Sequence, residues 1–115
     1  MPPIDDSIRR ELIRRARDKK ARQSVFSPSA PCDWRCHQVR KPESGLPFTE
    51  VEAWHFIADS LENDCQCHEI VLDKPPGKIG YVIKLPGYPG CPEIYIKLTL
   101  TANKINGRSF HDSEF

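Results

Sequence analysis

At 115 residues the chain is long enough for one small hydrophobic core and too short for two independent ones. A hydrophobic content of 38% with 11 prolines concentrates the apolar residues in a few elements joined by long connections. No apolar run approaches the roughly 20 residues of a membrane-spanning helix, and the leading residues MPPIDDSIRR hold acids and arginines rather than an apolar signal core, so a soluble cytoplasmic protein with no membrane partner is expected.

The formal net charge of +1 hides an asymmetry: residues 1–23 hold eight Arg or Lys against four Asp or Glu, and the remainder nine against twelve. In that leading segment Asp5, Asp6 and Ser7 supply acceptors where a helix begins, and Lys19, Lys20 and Arg22 supply cations where it ends. Ile4, Ile8, Leu12 and Ala16 recur every four residues, a narrow apolar stripe on a strongly cationic helix. Such a helix docks on the body or on an anionic partner, and Arg14 and Arg15 are its candidate contacts to a nucleic-acid backbone; a merely solvated charged face is the plain alternative.

Residues 24–47 contain four prolines and no sustained period, which predicts a long irregular connection. Order resumes at PFTEVEAWHFIADSLEN. Thr49 with Glu52 three residues later has the capping-box pattern, and Val51, Trp54, Ile57, Ala58 and Leu61 fall on one helical face. His55 lies roughly 100° from the centre of that stripe, at its border, where it can reach a neighbouring cleft.

After Asn63 the period shortens. CHEIVLD, YVIKL, EIYIKLTL and KINGRSFH, separated by KPPGKIG and PGYPGCP, read as four strands of an antiparallel meander. Ile94, Ile96, Leu98 and Leu100 alternate with Tyr95, Lys97, Thr99 and Thr101, so one set faces the core helix and the other faces away. Ile105 and Phe110 have opposite parity, and burying both requires a bulge at Asn106-Gly107 that swings Arg108 toward the outward face. The expected architecture is α+β: a basic N-terminal helix over 1–23, a connection over 24–47, and over 48–115 a capped helix packed on a four-stranded antiparallel sheet.

EIYIKLTL followed by GRSFH resembles the C-terminal hairpin of the MqsR-type toxins within the wider RelE-like group of bacterial toxin ribonucleases, and FTEVEAWHF resembles their helix start. The resemblance covers roughly residue 47 to the end. It implies a metal-independent endoribonuclease that cuts messenger RNA, works without a cofactor and is neutralised by a partner antitoxin. Carried over by position, Tyr95 matches the strand tyrosine, His111 stands where the family has a lysine after Ser-Phe, and His55 stands at the family's helix lysine. The family's glutamine on the preceding strand has no clear counterpart, and Lys84 is the substitute. Lys97 and Arg108 complete the candidate RNA contacts. Reaction by 2′-hydroxyl attack needs a base, an acid for the leaving oxygen and fixed positive charge for the phosphorane, and histidine suits proton transfer near neutral pH.

The five cysteines admit a different reading, a non-catalytic zinc-stabilised binding module. Cys32, Cys36, Cys65 and Cys67 are the candidate ligands, with His37 and His68 beside them, although the spacings C-x3-C-H and C-x-C-H are not the common C-x2-C knuckles. Inert buried thiols are the alternative. A third reading keeps the toxin-like fold for binding RNA or protein without cutting.

Overall fold

The computed structural model describes residues 4–23, 33–41, 44–63, 65–72, 77–85 and 93–112. Helix α1 spans Asp6–Arg17, and its N-cap is Asp5, whose carboxylate accepts the Ile8 N–H at 2.9 Å. Helix α2 spans Glu50–Glu62 and opens with the full capping box: Thr49 accepts the Glu52 N–H at 3.2 Å, and the Glu52 carboxylate accepts the Thr49 N–H at 3.0 Å. The buried face of α2 is Ala53, Trp54, Ile57, Ala58 and Leu61. Val51, expected on that face, is 54% exposed. By 3.6-residue geometry it stands about 90° from the centre of the buried set, and Ala53, about 70° away on the other side, takes its place.

Four strands form the antiparallel part of the sheet: β3, Cys67–Val71; β4, Ile79–Leu85; β5, Ile94–Leu100; and β6, Ile105–Asp112. They are the four read from the sequence, in the same order. The sheet is nevertheless mixed, because two short strands, β1 (Arg22–Gln23) and β2 (Asp33–Trp34), pair parallel with the outer edge of β6, giving the order β1-β6-β5-β4-β3 with β2 also on β6. The stretch over 24–47 is therefore not wholly irregular: it also holds a 3-10 turn at Cys36–Gln38 and a bridge between Arg40 and Pro47.

The expected bulge is present. Lys97 pairs with Ser109 and Leu98 with Gly107, which leaves Arg108 as the additional residue and returns both Ile105 and Phe110 to the core at 0% exposure. Its glycine serves space rather than backbone conformation, since positive φ is found at Gly45 and Gly77 and not at Gly107. Trp34 lies directly over Gly107 and packs on Trp54 and Phe110, with ring centroids at 5.0 and 5.4 Å. Strand β2 thus locks the bulge of β6 to the core helix.

Helix α1 packs against α2 and belongs to the same core, with Leu12 and Ala16 fully buried. Its narrow stripe suffices because arginines brace it at both ends. Arg9 donates to the carbonyls of Leu61 and Cys65, each at 2.9 Å, while Arg17 pairs with Asp59 and Glu62 at 2.9 and 3.0 Å. Arg15 donates to the carbonyls of Thr101, Lys104 and Ala102 at the β5–β6 turn. Part of the leading positive charge is thus spent on holding the helix in place. Among the described residues no helix is long and apolar enough to cross a membrane.

Candidate active site on the second face of the sheet

Both helices and the Trp34 side chain lie against the face of the sheet that carries Ile83, Ile96 and Phe110. The other face carries the alternate residues, as period-2 geometry requires. Register places Lys84, Tyr95 and His111 opposite one another on β4, β5 and β6, one continuous row across three strands. At the usual strand spacing that row is about 10 Å wide. The next row on the same face, about 7 Å along the strands, is His68, Val82, Lys97 and Ser109.

The Tyr95 and His111 rings are stacked, with centroids 5.3 Å apart and planes at 21°. His111 Nδ1 lies 2.9 Å from the backbone carbonyl of Asp112. A carbonyl only accepts, so Nδ1 carries the proton of this bond and Nε2 is the unprotonated nitrogen of the neutral ring. Burial pushes the Tyr95 hydroxyl above its ordinary value, so it stays protonated and acts as a donor at neutral pH. Lys84 is exposed beside this pair, and Lys97 is half-buried one row away. Arg108, as the bulge residue, adjoins Ser109 of that second row.

The second face departs from the wet face expected of a one-layer sheet. Val82, Thr99 and Ser109 are buried there, at 3%, 6% and 3% exposure. The Tyr95–His111 stack, at intermediate exposure, is bordered by buried positions rather than standing on an open surface, which lowers the local dielectric around any charge that develops.

His55 does not join this group. It is exposed on α2, on the helix side of the sheet, and lines a separate cleft there with Phe48, Phe56 and Leu85. The expected RNA contacts on α1 also stand apart: Arg14 is 64% exposed and paired with Glu11, and Arg15 is only 15% exposed, turned onto the β5–β6 turn. Sequence reasoning overlooked His68 as a member of the second row; its position opposite Val82, and through Val82 opposite Lys97, is the signal that finds it.

Of the candidate zinc ligands, Cys32 lies outside the described residues. Cys36 and Cys67 are core residues, each 2% exposed, and burial raises both thiols, that of Cys67 to about 12. Zinc binds thiolates, so these two side chains would have to give up their protons inside the core to ligate it. Among the described residues no three His, Cys, Asp or Glu side chains converge as a metal-binding group.

The architecture is that of an α+β domain with two helices, among the described residues, on one face of a mixed sheet and a polar, partly covered cluster on the other. No protein-family model, curated protein or solved structure matches the chain. The chemistry of the cluster is therefore the ground on which function is read.

Proposed function

We propose that the chain is a toxin-like, metal-independent endoribonuclease with its active site on the second face of the sheet. The observation that carries this reading is the stacked Tyr95–His111 pair, in one row with Lys84 and one row from Lys97. His111 Nε2 takes the proton of a ribose 2′-hydroxyl, and O2′ attacks the adjacent phosphorus. The P–O5′ bond breaks, leaving a 2′,3′-cyclic phosphate, while the protonated Tyr95 hydroxyl donates to O5′. Lys84 and Lys97 balance the charge that builds on the phosphorane oxygens. The resemblance to the toxin ribonucleases supports the same assignment of Tyr95 and His111, and brings with it messenger RNA as substrate and an antitoxin protein as partner in the cytoplasm. His55 has no part in this mechanism, being on the other side of the sheet.

The test is cleavage of single-stranded RNA in the presence of EDTA, followed by analysis of the product ends. Wild type should give 2′,3′-cyclic phosphate termini. Tyr95→Phe and His111→Ala should each slow the reaction by about 10²–10⁴-fold, with melting temperatures close to wild type. Wild-type rates in both variants would remove these residues from the mechanism. RNA that is bound by the wild-type chain without being cut would instead support the binding-only reading.

A further inference from the structure

The cleft beside His55 is a second site, which the ribonuclease mechanism leaves unused. It encloses about 460 Å³, within the roughly 300–1,000 Å³ range of small-molecule sites. Its floor is apolar: the Phe48 and Phe56 rings meet at 5.0 Å between centroids, tilted by 56°, and Leu85 at the end of β4 adjoins them. Its wall is α2, where residues three and four apart share a face and bring His55, Asp59 and Asn63 into line.

The sign of the rim follows from its ion pairs. Lys41 and Glu52, 2.5 Å apart, neutralise one another, and Glu52 also accepts the Thr49 N–H. Asp59 and Glu62 share the single guanidinium of Arg17. Of these two carboxylates only Asp59 lines the cleft; because it shares Arg17 with Glu62 its charge is only partly offset, and its side chain is 62% exposed. An exposed, partly offset carboxylate favours a cation over phosphate, unlike the Lys84–Lys97 face. Among the described residues the side chains of His55, Ser60 and Asn63, which also line the cleft, take part in no hydrogen bond and remain available to a ligand.

We propose that this cleft binds a small organic cation with a flat apolar body, its charged end toward Asp59 and its body on the Phe48–Phe56 floor. Ser60 and Asn63 offer oxygen acceptors to the N–H groups of the cation, and the partly exposed Phe56 ring adds the attraction of an aromatic face for positive charge. The proposal is independent of the ribonuclease reading, since it shares no residue with it.

Three isosteric probes isolate the charge: benzamidine, benzamide and benzoate. Binding to the full chain is followed by calorimetry and by amide chemical shifts at His55, Ser60 and Asn63. Benzamidine should bind about tenfold more tightly than benzamide, and benzoate more weakly than either. Asp59→Asn should remove the advantage of benzamidine over benzamide, whereas Phe56→Leu should weaken both. Equal binding of benzamidine and benzoate would overturn the proposal, as would no benzamidine binding at about 10 mM, or shifts confined to the Tyr95–His111 face. Asn63→Ala gives an independent check, with weakened benzamidine binding expected and unchanged binding counting against the site.

Discussion

Replacing Gly107 by alanine tests how β2, the bulge and the core helix are joined. A Cβ at position 107 would stand 2.4, 2.5 and 2.8 Å from three carbons of the Trp34 ring, whereas carbon atoms pack best at about 3.5–4.0 Å. The ring has to retreat by about 1 Å. It has little room to do so, being stacked on Trp54 at 28° and set edge-on against Phe110 at 66°. Giving up those two aromatic contacts costs about 0.5–1.5 kcal/mol each, and keeping them under compression costs about 1–3 kcal/mol. Either route predicts that Gly107→Ala destabilises by about 1–3 kcal/mol. Because the cost originates in one ring, the same change in a Trp34→Leu background should be close to neutral. Urea unfolding of the four proteins, followed by far-ultraviolet circular dichroism, closes the double-mutant cycle. An equal loss in both backgrounds would show that Trp34 is not what demands glycine there.

Three other outcomes follow from the electrostatics and packing. Lys41 and the Thr49 cap lower the Glu52 carboxyl to about 2 from its ordinary value near 4.5; its stabilising contribution is complete above about 4.5 and is lost as pH falls toward 2, so melting temperature should decline less steeply across that window in Glu52→Gln, and identical slopes would refute the link. Arg15→Ala removes the donors to the carbonyls of Thr101, Ala102 and Lys104 and should cost about 1.5–3 kcal/mol in denaturant titrations, while a loss near zero would mean that α1 is held by its apolar stripe alone. The Cys67 thiol, buried and raised to about 12, should resist alkylation in the native protein at pH 8 and react once urea unfolds it; rapid native labelling at Cys67, located by peptide mass analysis, would contradict its burial.

The sequence was most legible where one local rule decides the outcome. Thr49 and Glu52 sit three residues apart and cap α2 because both partners lie within one turn. The alternation through β5 places Ile94, Ile96 and Leu98 inward, and the parity conflict between Ile105 and Phe110 locates the bulge. Tyr95 and His111 come opposite one another for the same reason. What escaped was non-local. Strands of two residues, such as Arg22–Gln23 and Asp33–Trp34, carry no period, and parallel pairing with a strand some 75 or more positions away leaves no mark in either segment. Trp34, set among potential metal ligands in CDWRCH, reads as part of a zinc loop until its ring is found over Gly107. The burial of Val82, Thr99 and Ser109 was hidden because alternation tells which residues share a face and not what covers it.

Strands β1 and β2 have a consequence for self-association. An unpaired strand edge is a template on which another chain can add. On β6 that template is occupied twice, by β1 over Ile105–Asn106 and by β2 over Ser109–Phe110, with the bulge distorting the interval between them. At the opposite end of the sheet, no strand among the described residues pairs with the outer side of β3, and the hairpin it forms with β4 exposes Val71 and Ile79. The Ile4 N–H covers one carbonyl there, that of Cys67. Among the described residues the template for strand addition is therefore β3 rather than β6, and a lysine in place of Val71 is the natural gatekeeper there.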